Sequence, residues 1–467
     1  MENKKAKIIS IVAIVALALT VVTATYAYFQ AQVGDPAVAD IKVNANTVDT
    51  FTFSSGSAIS FSINQDNFAS GKGNQTGSTY ASAMLTANNK TNTATEHYYL
   101  YLNIESNTFT YSINENTPEI IMTVTDSSGN EVTNISTLNH VIVTGANGTQ
   151  VSGYDITNKS GLITLFNNRE ITANPSKEEK WNIKVTFVNY DASQSANAGK
   201  SMSAKVMIQK KQLLAGYVIS KFTGTQGANN IYHHTSTLTN GAGDNSYRYA
   251  GASESVNNFV CFGSTTPCPT DNLYRIIGVF GNQVKLIKST SVGGKAWDGN
   301  GNNTWSTSSL NTYLNNDFLN AFDETTKGNI AETTWKVGGF NNISISQPAK
   351  AVYQNEINSS PSVNKKIGLM YASDYGFAAA PSAWITNFYD YDGTDIKSAN
   401  WMYIGATEWT ISRSADISIS AFFVYFGGYV YNNFVYSSTA VRPSFNLSSS
   451  VNYASGSGTA ADPIVVN

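Results

Sequence analysis

Residues Ala421–Tyr436 read AFFVYFGGYVYNNFVY, and half of them are Phe or Tyr. The segment follows neither a strict alternation nor a 3.6-residue period. Gly427-Gly428 and Asn432-Asn433 interrupt it, so it reads as two short strands or loops joined by turns. A buried strand carries few tyrosines, because each buried hydroxyl needs a partner. A mixture of Tyr, Ser, Gly and Asn is the composition of adaptable binding loops. Two readings therefore stand side by side: an exposed recognition patch, and a tyrosine-tolerant, partly buried sheet.

The bulk composition agrees with a β-rich, non-nucleic-acid-binding chain. Its 467 residues are enough for two or three domains. Charged residues make up 13%, against about 25% in ordinary globular proteins, and Ser, Thr, Asn and Gly take their place. The net charge of -3 offers no basic field to attract nucleic acid. Aromatic residues are spread along the chain, which argues against disorder.

The N-terminus predicts export. Lys4, Lys5 and Lys7 precede an apolar run from Ile8 to about Val22, and small residues lead to Ala27. Residues 1–29 thus read as a signal peptide, or as an uncleaved anchor, since Ile8–Phe29 is long enough to span a bilayer. The expected location is extracellular, secreted or tethered to a bacterial surface by this segment. Cys261 and Cys268, in CFGSTTPC, are expected to form a disulfide in such a chain. Their spacing and the scarcity of histidine give no metal site. No cofactor is expected.

Residues 31–210 read as an all-β domain, a sandwich or jelly roll. Phe51/Phe53, Ile59/Phe61/Ile63, Leu100/Leu102/Ile104, Ile183/Val185/Phe187 and Ala204/Val206/Ile208 recur at period two. Ser128-Gly129-Asn130 and Ala146-Asn147-Gly148 read as turns. Residues 211–244 read as a linker, with His233-His234 as surface-loop histidines. Residues 245–467 read as an α+β domain. Asn272–Lys288 is expected to be a hairpin turning at Gly281-Asn282. Trp305–Ser309 should cap a helix that carries Leu310, Leu314 and Phe318. Lys366–Tyr371 should be a strand, followed by a short helix capped by Ser373.

Two resemblances follow. Thr25-Tyr26-Ala27-Tyr28-Phe29, after a lysine-led apolar run and before a Ser/Thr/Asn-rich β region, resembles the TasA/camelysin group of exported surface and matrix proteins. Camelysin is described as a protease, but this sequence has no His-Glu-x-x-His, so the resemblance carries no catalytic residue. The second resemblance rests on an ordered series: Ser246-Tyr247-Arg248-Tyr249, Cys261-Phe262-Gly263, Tyr274–Gly278, the helix start at Trp305, Gly368–Tyr375, Trp409–Ser412 and Ala440-Val441-Arg442-Pro443. The series is similar to the C-type-lectin-like fold shared by formylglycine-generating enzymes and the variable proteins of diversity-generating retroelements.

That resemblance implies a fixed core bearing a display surface near its C-terminus. In retroelement variable proteins, asparagine codons become Tyr, Phe, Ser, Asp, Val, Ile, Gly or Ala, and Ser414–Ser438 uses largely that set. The implied ligand-binding residues are Asp416, Ser418, Ser420, Phe422, Phe423, Tyr425, Phe426, Tyr429, Tyr431, Asn432, Phe434, Tyr436 and Ser437. Arg442 is expected to pair with a core carboxylate. Formylglycine chemistry needs a reactive cysteine pair at a peptide groove, and the cysteines here lie far upstream, so a non-enzyme is expected. Asp298-Gly299-Asn300-Gly301-Asn302 opens like an EF-hand loop but lacks its glycine and closing glutamate. Asp390, Asp392 and Asp395 read as a solvated turn.

The sequence therefore predicts an adhesin-like surface protein. Its partners would be a protein or glycan on another cell, host or phage, with self-assembly through the N-terminal domain and no nucleic acid. The alternative is a structural matrix or fibre subunit.

Overall fold

The computed structural model describes residues 49–64, 73–88, 92–135, 137–392 and 394–467. The expected signal segment lies outside them. The chain is mostly β and divides into two compact units, residues 1–158 with 164–210, and residues 159–163 with 211–467.

The first unit holds two antiparallel sheets. Its strands are β1 (Thr50–Ser55), β2 (Ile59–Ser62), β3 (Gln75–Thr86), β4 (Ala94–Asn107), β5 (Ile120–Asp126), β6 (His140–Thr144), β7 (Gln150–Asp155), β8 (Gly161–Ala173), β9 (Ser176–Phe187) and β10 (Ser201–Gln209). One sheet runs β1-β3-β9-β5-β7-β6 and the other β2-β10-β4-β8. The period-two residues face the space between them. Ile183, Val185 and Phe187 on β9 and Leu100, Leu102 and Ile104 on β4 are buried. Each such side chain contributes roughly 1.5–3 kcal/mol of burial. Tyr98 of β4 ties the two sheets together. Its ring meets Phe51 and Phe53, its hydroxyl donates to Glu179 at 2.7 Å, and Trp181 Nε1 donates to it at 2.7 Å.

Glu119 is buried, and among the described residues it has no cationic partner. Its carboxylate accepts from the Ser112 backbone and hydroxyl, Ile113 N–H, Gln194 Nε2 and Asn197 Nδ2. Five donors satisfy a charge that would otherwise be too costly to bury. Ser128 and Asn130 turn on the Asp126 carboxylate, and Gly129 takes the left-handed conformation there.

In the second unit, β11 (Ile231–His233), β12 (Tyr247–Tyr249), β13 (Phe259–Cys261), β14 (Leu273–Phe280) and β15 (Gln283–Lys288) belong to a nine-stranded sheet. Next along the chain come β16 (Gly294–Lys295), β17 (Thr333–Lys336), β18 (Ser362–Lys365), β19 (Ile367–Gly368), β20 (Glu408–Arg413), β21 (Ser420–Val424), β22 (Val430–Phe434), β23 (Thr439–Ala440), β24 (Ser444–Asn446), β25 (Tyr453–Ser455) and β26 (Ile464–Val466). The large sheet runs β19-β24-β15-β14-β13-β26-β25, with β12 and β11 branching from β14. A second sheet runs β16-β23-β20-β21-β22. The hairpin β14–β15 turns at Gly281, with a bulge between Ile276 and Gly278. A Cβ at Gly278 would run into the Tyr247 carbonyl, so only glycine lets β12 approach. Cys261 and Cys268 are disulfide-bonded.

Several expectations need correction. Residues 211–244 form no linker, because they belong to the second unit and bury Leu213, Leu214, Val218, Ile219 and Ile231 there. Helix Leu214–Ser220 buries Leu214, Val218 and Ile219, and Tyr217 stacks on Tyr453 at 3.8 Å. His234 is no surface residue. Its Nδ1 accepts from Ala242 N–H and its ring lies 5.0 Å from Phe377 and Trp384. His233 stacks on Tyr247 at 4.0 Å, and burial pushes it down to about 4. The strand expected at 366–371 shrinks to β19, because only Ile367 and Gly368 pair with β24. Ser373 caps nothing. Helix Ala372–Ala378 starts two residues earlier than a Ser373 cap requires, with Tyr371 at the cap position, and Asp374 accepts the N–H of Tyr371 at 2.9 Å. Ser308 does cap helix Ser309–Tyr313, through Asn311 N–H.

Candidate functional site

The aromatic segment folds as β21, a turn and β22, with β20 on the other side of β21. Phe422 opposes Asn432, Phe423 opposes Tyr431, and Val424 opposes Val430. The break falls at Gly427-Gly428, while Asn432-Asn433 stays inside β22. Gly428 has φ +99°, and Tyr425 and Tyr429 close the turn with a 2.8 Å backbone bond. Two buttressing tyrosines fix it. Tyr375 Oη donates to Gly428 O at 2.7 Å and Tyr403 Oη to Phe426 O at 2.5 Å.

Alternation then sorts the side chains. Phe422 points inward and stacks on Phe340 at 4.0 Å. Phe423 is only 5% exposed and packs edge-on against Trp409 at 6.0 Å. Ser420 is buried and donates to Asn433 O. These three residues are therefore not display residues: β21 lies between β20 and β22 and is buried along its whole length. Phe423 instead forms a floor, 6.0 Å from Tyr425 and 6.5 Å from Tyr431.

On that floor stand Tyr425, Phe426, Tyr429 and Tyr431. Tyr425 lies 4.1 Å from Phe426 and 4.9 Å from Tyr429. Tyr389, from the short turn Phe388–Asp390, joins them 5.8 Å from Tyr429 and 6.0 Å from Tyr431. Sequence reading missed Tyr389. Its only local signal was another Tyr-rich stretch, FYDYD, read for its acids. Among the described residues, no hydrogen bond engages the hydroxyls of Tyr389, Tyr425, Tyr429, Tyr431 or Tyr436. Partial burial raises the Tyr429 phenol above its ordinary value. A second pair, Phe434 and Tyr436, stacks at 5.3 Å, and both rings are about half exposed.

Asp416 and Ser418 lie on the exposed loop between β20 and β21. Asn303 holds this loop from beneath. Its Nδ2 donates to the carbonyls of Ser414, Ile417 and Ser420, and its N–H donates to Ser418 O. The Ser414 hydroxyl bonds Asp416 at 2.6 Å and lowers its carboxyl. Asn432 and Ser437 are half-buried. The loop that opens like an EF-hand spends its carboxylate on backbone N–H groups, Asp298 accepting from Asn302 and Ser309 at 3.0 Å each. Arg442 forms a bidentate pair with Glu408, at 2.6 and 2.9 Å, and donates to Met402 O. Burial raises the Glu408 carboxyl against the pull of that guanidinium.

A second cluster lies elsewhere in this unit, at a cavity of about 260 Å³. Arg248, Lys285, Glu356, Tyr371 and Asp374 line it with Trp335 and Phe280. Arg248 bonds Asp244 at 2.7 Å, and Lys285 bonds Asp374 at 2.5 Å. Glu356 accepts from Ala372 and Ser373 N–H and from the Ser412 hydroxyl, and burial pushes it up to about 7. Sequence reading did not find this cluster.

A family described as a domain of unknown function, DUF6273, matches residues 281–449. The match covers the aromatic platform, its Arg442–Glu408 support and Glu356 and Asp374, and it leaves out Arg248 and the disulfide. No curated protein matches the chain.

Proposed function

We propose that this protein is an exported bacterial surface protein that binds a protein or glycan ligand, without catalysis, through the platform of Tyr389, Tyr425, Phe426, Tyr429 and Tyr431. The observation that supports this reading is the group of solvent-facing rings with unengaged hydroxyls on a sheet whose turn is fixed by Tyr375 and Tyr403. Such rings offer contact area at low entropic cost, and their hydroxyls supply direction. Phe434 and Tyr436 extend the surface, with Asp416, Ser418, Asn432 and Ser437 at its rim. The second unit is read as a C-type-lectin-like fold and the first as a jelly-roll-like sandwich carrying it. The surface is read as diversified, because its residues are those that altered asparagine codons encode.

Glycan and cell-surface protein arrays test the binding. The wild type should give discrete positives, and the double variant Tyr389→Ala/Tyr431→Ala should lose them while keeping its thermal midpoint. Positives that survive in the double variant would remove the platform from the function.

A further inference from the structure

Lys285 and Asp374 meet in the interior of the second unit, 89 residues apart in sequence. Lys285 lies near the middle of β15, and Asp374 lies in the first turn of helix Ala372–Ala378. Nζ stands 2.5 Å from Oδ2, and both side chains are over nine-tenths buried. The carboxyl carbon is one bond beyond that oxygen, so the amine sits near the ~3–3.5 Å separation from which bonds form. The rings of Tyr371, Trp335 and Phe280 surround Nζ at 4.7, 5.2 and 5.7 Å. Burial strips the ammonium of its hydration, more than these ring faces return, and lowers Lys285 below its ordinary value. Arg248, the other cation here, already has Asp244 at 2.7 Å and stands 3.4 Å from Asp374.

We propose that Lys285 and Asp374 condense into an intramolecular isopeptide bond, with Glu356 as a proton carrier in the same cavity. Within the ion pair, one ammonium proton passes to the carboxylate, leaving a neutral amine and a carboxylic acid. The amine lone pair attacks the carboxyl carbon and the N–C bond forms. A second proton leaves nitrogen, the C–O bond breaks, and one carboxyl oxygen departs as water. Ammonium plus carboxylate thus becomes amide plus water, with no oxidant, reductant or cofactor. Glu356, held by two backbone N–H groups and Ser412, supplies and retrieves the proton that makes hydroxide a better leaving group. The adjoining cavity receives the water. The product removes two buried charges and leaves Arg248 balanced by Asp244. It closes a loop from β15 to helix Ala372–Ala378, as a disulfide would, but in a form that reductants do not open. This inference does not depend on ligand binding at the aromatic platform.

Peptide mapping tests it. The full chain is reduced, denatured and digested with trypsin. A branched peptide joining residues 276–288 to residues 367–397, lighter than the sum of its parts by one water, is expected. Its fragmentation should place the link at Lys285 and Asp374. Linear peptides ending at Lys285, with that amine open to acylating reagents after denaturation, would overturn the proposal. Lys285→Arg should give only linear peptides, and a branched product persisting in it would overturn the assignment. Glu356→Gln should lower the branched fraction at equal incubation times. An unchanged fraction would remove Glu356 from the step.

Discussion

The aromatic platform and the charged cavity lie in the same unit and treat their chemistry in opposite ways. On the platform, Tyr389, Tyr425, Tyr429 and Tyr431 carry hydroxyls that no hydrogen bond engages among the described residues, while Tyr375 and Tyr403 hold the turn beneath them. In the cavity, each charged group is committed to a neighbour: Arg248 to Asp244, Lys285 to Asp374, and Glu356 to backbone N–H groups. Residue type therefore does not separate recognition from support. Phe422 and Tyr431 belong to one hairpin and one composition. One is stacked on Phe340 inside, and the other faces solvent.

Substitutions separate the supporting side chains from the exposed ones. The largest effect is expected from Arg442→Ala, which strands the Glu408 carboxylate in the interior. Breaking a buried pair from one side costs about 3–5 kcal/mol, so a clear drop in the chemical-denaturation midpoint should follow. A loss below about 1 kcal/mol would show that the pair is dispensable. Phe422→Ala should cost about 3 kcal/mol through the cavity left against Phe340, again read by denaturation.

Next comes the pH dependence of the cavity. Burial raises Glu356 from 4.5 to about 7, so the folded chain keeps a proton that the unfolded chain releases between those values. Its contribution is complete below pH 4.5 and is lost as pH rises towards 7, by about 3 kcal/mol. Subtracting the stability profile of Glu356→Gln from that of the wild type should reveal this slope. A flat difference would mean that Glu356 titrates normally. The smallest effect on stability belongs to Tyr431→Ala, within about 0.5 kcal/mol, as expected of a surface change. Its effect on binding should nonetheless be about tenfold or more, measured on any ligand that the arrays return.

Much of the scaffold was legible in the sequence because its signals are local. Ile183, Val185 and Phe187 alternate because β9 has one face towards the core, and Gly281 marks the β14–β15 turn. Ser308 caps the helix that follows it, and Arg442 finds a carboxylate. What stayed hidden depends on distant neighbours. Tyr389 joins the platform from a turn 40 residues before Tyr429. Lys285 and Asp374 meet across 89 residues. His234 looks like a loop residue until Phe377 and Trp384 close over it. Ser420, Phe422 and Phe423 read as display residues in sequence yet are buried, because composition gives the character of a strand, not which of its faces is covered.

This hairpin has a recognition side and a supporting side. Sequencing codons 410–446 of this gene in sibling isolates tests it most directly. Amino-acid differences are expected to concentrate at Tyr425, Phe426, Tyr429, Tyr431, Phe434 and Tyr436, with Ser420, Phe422 and Phe423 retained. Differences falling on those three as often as on the exposed rings, or no differences across the segment, would contradict it.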